Sequence, residues 1–436
     1  MELYSTNNPS LKVDFPTAVF NSMPQDKGLY MPQEIPVLDP EFIAQIGDRT
    51  FSEIALKVAS ALIGDAIPTP DLKAIIAETL SFDAPVKELD AETYVLELFH
   101  GPSLAFKDFG ARFMSRVMGY FLRENEKMLD VLVATSGDTG GAVALGFLGV
   151  PNTRVTILYP EGKVSEIQEL QLCTNGNNIQ AISVNGTFDD CQALVKQAFA
   201  DQDLADKLRL TSANSINIAR LIPQTFYYFN AYAQLAREGK TKVVFAVPSG
   251  NFGNIAAGLI AYKMGLPVQQ FIAATNANDT VPRFLENGIY ETRASVQTYS
   301  NAMDVGAPSN WVRIMDLFKG DVAALKKVVS SSSYTDVETQ EAIKEIYDTY
   351  SYVACPHTAI AYRALKNYLA EQPDHELTGV FLSTAHPCKF PDVFPNDVAA
   401  AIAIPEQVNE LRARTSAAQK MDPVFADFKT YLQELN

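Results

Sequence analysis

The chain has 436 residues, 47% of them hydrophobic, and its 35 basic and 51 acidic residues give a formal net charge of -16. That length supports two or three domains with substantial cores, and that charge excludes nucleic acid or an anionic membrane as the main partner. The first residues show no basic segment followed by an apolar run, and no apolar stretch is long enough to span a membrane. The four cysteines, Cys173, Cys191, Cys355 and Cys388, form no Cys-x-x-Cys pair. The expectation is a cytoplasmic protein without disulfides or a metal site, acting on a small molecule as a monomer or homodimer.

In chain order, residues 1–93 read as a partly helical N-terminal region. Leu29-Tyr30-Met31-Pro32 is a turn or short edge, and helical patterns cover 39–46 and 51–59. Asp71 is placed to cap a third helix over 72–80. Residues 92–99 read as a short strand, and after Pro102 the apolar residues Phe109, Phe113, Val117, Tyr120 and Phe121 recur at helical spacing. Strands at 131–135, 154–159 and 179–184 then alternate with helices at 139–148 and 164–173. Thr187 caps the next helix, with Asp190 at N3 and Leu194, Val195 and Ala198 on its buried face.

A second series has strands at 242–247 and 268–274, a helix at 255–264 and a late strand at 379–383. Residues 276–336, with the serine run 330–333, read as loop-rich, and Asp422 with Pro423 reads as the start of a terminal helix. The rhythm predicts α/β architecture: two doubly wound open-sheet domains, 94–236 and 237–436, with the active site between them and the N-terminal region on the larger.

Four stretches carry chemistry. His100-Gly101-Pro102-Ser103-Leu104-Ala105-Phe106-Lys107-Asp108 puts a lysine where a loop becomes a helix, between aromatic residues. Thr135-Ser136-Gly137-Asp138-Thr139-Gly140-Gly141 and Ser249-Gly250-Asn251-Phe252-Gly253-Asn254 each end a strand and open a helix. There, free backbone N–H groups suit an anion and glycine permits close approach. Neither stretch has Gly-x-Gly-x-x-Gly, which disfavours a dinucleotide site. The fourth is Phe381-Leu382-Ser383-Thr384-Ala385-His386-Pro387-Cys388-Lys389.

The lysine segment resembles that of the threonine synthase family, pyridoxal-phosphate (PLP) enzymes of fold type II, and the resemblance runs to about residue 400. It implies that Lys107 carries PLP as an imine, beside Phe106, and acts as the base. The loop of Ser249, Gly250, Asn251, Phe252, Gly253 and Asn254 would hold the cofactor phosphate. Ser136, Gly137, Asp138 and Thr139 would receive the substrate carboxylate, with Asp138 also at the cofactor's 3′-oxygen, where many relatives have asparagine. Thr384 would bond the pyridine nitrogen as a neutral hydroxyl. Arg220, with Ser215, Asn217, Lys163 and Ser165, would bind a substrate phosphate. His386 is read equally as a base or as a structural residue, and Cys355-Pro356-His357-Thr358 matches a structural family segment.

The reaction implied is conversion of O-phospho-L-homoserine and water to L-threonine and phosphate. Such chemistry needs two anion sites, whereas a β-eliminase acting on serine or threonine needs one. The alternatives are a fold-type-II ammonia-lyase or β-replacement enzyme, a phospho-lyase that stops at elimination, and a PLP-binding homologue without catalysis.

Overall fold

The computed structural model describes residues 1–123, 127–372 and 376–435. Strands β1 (Glu2–Ser5), β2 (Lys12–Asp14) and β3 (Tyr30–Pro32) form a small antiparallel sheet in the order β2-β1-β3. β4 (Val86–Glu88) and β5 (Thr93–Glu97) follow, and the chain then crosses to a second sheet with β6 (Leu129–Ala134), β7 (Thr153–Pro160), β8 (Ile179–Val184) and β9 (Arg209–Ser212). It returns through β10 (Val243–Pro248), β11 (Val268–Thr275), β12 (Val329–Ser333) and β13 (Thr378–Ser383), and ends beyond β14 (Gln419–Met421).

The larger sheet has the order β12-β11-β10-β13-β5-β4, parallel except for β4. The smaller has the order β14-β8-β7-β6-β9 and is parallel throughout. β5, β6, β10 and β13 are buried along their whole length, as strands with helices on both faces must be. No helix of the described residues is long and apolar enough to cross a membrane.

Sheet membership departs from the segment limits expected at residues 94 and 237. Strand Thr93–Glu97 pairs with β13 of the larger sheet, although residues 94–236 were assigned to the smaller domain. Gln419–Met421 pairs with β8 of the smaller sheet, although it lies in the C-terminal segment. The N-terminal region touches both halves. The Leu38 N–H donates to the Met264 carbonyl at 2.9 Å, while helix Phe51–Ile63, opened by a Thr50–Glu53 capping box, packs on helix Gln224–Ala236 and the carbonyl of Phe20 accepts from Thr211 of the smaller sheet.

Three local expectations are corrected. Helix Thr69–Thr79 starts two residues before Asp71, which sits in its first turn without capping it. The serine run forms edge strand β12, where Ser331 donates to the Ala273 carbonyl. Pairing with β11 rather than side-chain type decides its conformation. The terminal helix is Phe425–Glu434, and Asp422 instead accepts from Asn185. The Thr187–Asp190 capping box and the burial of Leu194, Val195 and Ala198 are as expected.

Candidate active site

The site lies at the carboxyl ends of β5, β13 and β10, adjacent in the larger sheet, and faces the end of β6. After β5 the loop brings Leu104 into the left-handed region (φ 58°) and pairs Ala105 with Ala385 beyond β13. The Phe106 N–H donates to the Thr384 carbonyl at 2.9 Å, and the His386 N–H donates to the Leu104 carbonyl at 3.0 Å. These bonds hold Lys107 at the first position of helix Lys107–Leu122, beside Thr384. Lys107 keeps some access as a residue, yet its amine is desolvated. Burial pulls that amine down to about 8; Asp138 opposes the shift, while Arg220 and Lys389 reinforce it. Its neighbour Asp108 accepts from the Ser103 N–H at 2.9 Å, and burial pushes its carboxyl up to about 6.

Asp138 opens helix Asp138–Phe147 after Gly137, whose φ of 138° is open only to glycine. Lys389 pairs with it at 2.6 Å, and the Gln168 amide donates to it at 3.0 Å. Burial alone would raise this carboxyl, but the Lys389 ammonium, with Lys107 and Gln168, holds it well below the usual carboxylate range. Lys389 is wholly buried and also donates to the Ser103 carbonyl at 2.8 Å. This lysine escaped the sequence reading; the signal was available in Cys388-Lys389, five residues beyond Thr384, but its partner lies 251 positions upstream.

Because the pair is buried, Lys389→Met should cost about 3–5 kcal/mol at pH 7–8, measured by denaturant unfolding. In that variant desolvation is opposed less, so the folded carboxyl takes up its proton at a higher pH than in the native protein. The loss should therefore shrink as pH falls toward 4, where Asp138 takes up a proton. A penalty independent of pH would show that the pair carries no net charge energy.

The third segment leaves β10 through Ser249, whose hydroxyl donates to the Val247 carbonyl, and Phe252, held in the left-handed region (φ 59°) with its ring edge-on to Trp311. Helix Gly253–Lys263 follows, so its first N–H groups have no intrahelical acceptor. Asn254, in its first turn, accepts from the Tyr227 and Tyr228 hydroxyls at 2.6 and 2.7 Å. Burial holds both phenols well above their ordinary values, so they remain donors. The amide oxygen is thus occupied and the buried Asn254 Nδ2 has no acceptor. Unmatched neutral donors at a helix N-terminus fit a phosphate monoester, as the PLP reading requires.

Thr384 is buried, and its hydroxyl makes no hydrogen bond to the described residues, which leaves it free for a ring nitrogen. His386 has a local partner: its Nδ1 accepts from the Cys388 N–H at 3.2 Å, and burial takes the ring down to about 4. His357, also held near 4 by burial, accepts from the Ala302 N–H, while Cys355, Thr358 and Ser383 are linked side chain to side chain.

The expected phosphate-binding residues divide. Arg220 is buried; its Nη1 donates to the Ala213 carbonyl at 2.7 Å and its Nε has no partner. A Cβ on Gly110, one turn along the Lys107 helix, would stand 2.9 Å from the Arg220 carbonyl, so the two segments are in contact. Ser215 accepts from the Asn251 amide at 3.3 Å and so joins this segment to the loop after β10.

Two of the other three have structural duties. Both ends of the Asn217 amide are taken, by the Val19 carbonyl and the Ala219 N–H. Ser165 caps helix Glu166–Cys173 through a capping box with Gln168, which orients the amide that reaches Asp138. Lys163 is exposed, and its ammonium adds only a little to the lowering of the Asp190 carboxyl. Ser136 and Thr139 stay partly exposed, with no side-chain partner among the described residues.

A desolvated lysine amine, a helix terminus with unmatched neutral donors and a free hydroxyl, all at the carboxyl ends of neighbouring strands, fit a pyridoxal-phosphate-dependent enzyme. The profile described as "Pyridoxal-phosphate dependent enzyme" matches residues 75–384, "Threonine synthase N terminus" residues 2–80 and "Threonine synthase, C-terminal" residues 358–431. The chain is 44% identical over 435 residues to a threonine synthase of Buchnera aphidicola, with 100% of each covered. It superposes on the crystal structure of threonine synthase from Escherichia coli with TM-score 0.91 and 42% identity, covering 100% of both chains. A PLP-bound threonine synthase from Brucella melitensis gives TM-score 0.92 at 35% identity, covering 100% of this chain and 99% of the other. The chain belongs to the threonine synthase family.

Proposed function

We propose that this chain converts O-phospho-L-homoserine and water into L-threonine and inorganic phosphate, with Lys107 as the base. The observation that carries the reading is a desolvated lysine amine flanked by two separate places for an anion. One is the loop of residues 249–254; the other is the buried Arg220, which no carboxylate pairs among the described residues. A ligand with one phosphate on the cofactor and one on the substrate needs both. Ser249, Gly250, Asn251, Phe252, Gly253 and Asn254 would hold the cofactor phosphate, Thr384 its ring nitrogen and Lys107 its aldehyde carbon.

When bound, pyridoxal phosphate supplies an electron sink for negative charge developing on the substrate carbons. The protein's part is proton handling and anion binding. With its pKa drawn down to about 8, the Lys107 amine can take the Cα proton and then a Cβ proton, give one to Cγ once phosphate has left, and return the other to Cα after water has added at Cβ. Arg220 faces the phosphate leaving from Cγ, and its planar fork suits two phosphate oxygens. The Asp138–Lys389 pair adds no net charge beside Lys107, and Ser136, Gly137 and Thr139 line the mouth where the substrate carboxylate would lie.

The test is product analysis with O-phospho-L-homoserine. Threonine and inorganic phosphate should appear in equal amounts, and only with PLP present. A 2-oxo acid and ammonia as main products would show that the site stops at elimination.

A further inference from the structure

Arg313, on helix Trp311–Leu317, is a wholly buried guanidinium without a counter-ion. Its donors go only to neutral oxygens: Nη1 to Asn310 Oδ1 at 2.6 Å, Nη2 to the Ile216 carbonyl at 2.6 Å and to the Tyr30 carbonyl at 3.1 Å. Among the described residues no carboxylate pairs with it. An uncompensated buried charge is costly, and burial alone, with no carboxylate to offset it, pulls this guanidinium down. An anion supplied by a ligand resolves the imbalance.

Asn310 marks where such an anion would lie. A guanidinium has donors only, so the bond from Arg313 fixes the Asn310 amide with its oxygen toward Arg313 and its NH₂ on the opposite side. That Nδ2 is buried and has no acceptor. It stands 3.3 Å from where a Cβ on Gly253 would be, at the first position of the helix that opens the loop of residues 249–254. The Asn310 backbone N–H donates to the Asn251 carbonyl at 3.1 Å, and the Ser309 N–H donates to Asn251 Oδ1 at 3.0 Å, so the two segments are locked together. Asn310 also precedes helix Trp311–Leu317 without capping it through its side chain, so the amide has no competing structural duty there.

We propose that Asn310 is a further ligand of the cofactor's phosphate monoester, its side-chain N–H completing the donor set of residues 249–254, and that Arg313 is the positioning residue that aims it. The inference rests on the PLP reading of this loop. Asn254 and Asn310 act alike: each has its oxygen pinned by donors from behind, the tyrosine hydroxyls in one case and Arg313 in the other, and each presents NH₂ to the helix terminus. Arg313 then supplies positive charge one amide away from the phosphate, without touching it. Its bonds to Tyr30 and Ile216 also tie the phosphate loop to the N-terminal sheet and to the segment that carries Arg220.

The experiment uses full-length protein stripped of cofactor and titrated with PLP or with pyridoxal, which lacks the phosphate. Binding is read from cofactor absorbance, and attachment from borohydride reduction and peptide mapping. Asn310→Ala should weaken PLP binding about 10-fold to 100-fold, as expected for loss of a hydrogen bond to a charged group, and leave pyridoxal binding within about 3-fold. Asn310→Asp, which places an anion at the same spot, should lose more. Arg313→Lys should keep most of the preference for PLP over pyridoxal and Arg313→Met should lose it, a ratio that a purely structural defect would not change.

Equal weakening toward both compounds, or unaltered PLP binding in folded Asn310→Ala, would overturn the proposal. If the Asn310 variants do not fold, the wild-type protein decides. The Asn310 side-chain amide resonance should shift on adding PLP and not on adding pyridoxal, and no difference between the two would overturn the inference. Cofactor mapped to a lysine other than Lys107 would instead overturn the PLP reading itself.

Discussion

Lys107→Ala should lower kcat by about 10³-fold or more while the protein still folds, because the substitution removes both the attachment point and the base. The measurement is steady-state turnover of O-phospho-L-homoserine, paired with borohydride labelling and far-UV circular dichroism. Label appearing on another lysine with turnover intact would sink the assignment. A pH dependence follows from the same desolvation. In cofactor-free protein the amine titrates near 8 rather than 10.5, because burial disfavours its charged form. Only the neutral amine attacks the cofactor aldehyde, so the rate of PLP incorporation should rise with pH and level off just above 8. A rate still climbing past pH 10 would show an amine in contact with bulk water.

Arg220→Ala should cost about 2–5 kcal/mol of transition-state binding, roughly 30-fold or more in kcat/KM for O-phospho-L-homoserine. The guanidinium is already stripped of water and bonded to a single carbonyl, so the phosphate would meet it without further desolvation of the protein. Cofactor attachment and binding of unphosphorylated amino acids should change little. Kinetics with phosphohomoserine, together with spectral titration by an unphosphorylated analogue, separate the outcomes. Equal losses on both would make Arg220 a support for the Lys107 helix, which it touches at Gly110. Full activity on the phosphorylated substrate would place the leaving phosphate elsewhere.

Much of this protein is carried by short-range signals, and these are legible in the sequence. The strands 131–135 and 179–184, the Thr187–Asp190 capping box and the helix after Lys107 depend on side-chain period, turn glycines and caps within a few residues. The lysine segment and the loop of residues 249–254 are contiguous, so family resemblance located them directly. The limits of that legibility appear where a side chain's duty depends on a distant neighbour.

Asn217 and Ser165 have the right chemistry for a phosphate, but their places are set by Val19 and Gln168. Lys389 gains its role from Asp138, on the other sheet, and Asn310 gains its role from Arg313 behind it and Gly253 before it. The serine run became a strand because β11 offered an edge to pair with, which no local pattern announces. The sequence by itself determined the α/β rhythm and singled out the segments of Lys107 and of residues 249–254, since each is written within one turn or one strand. Only the tertiary structure decided which polar groups face the site and which brace it, because burial and donor–acceptor matching are properties of segments brought together from far along the chain.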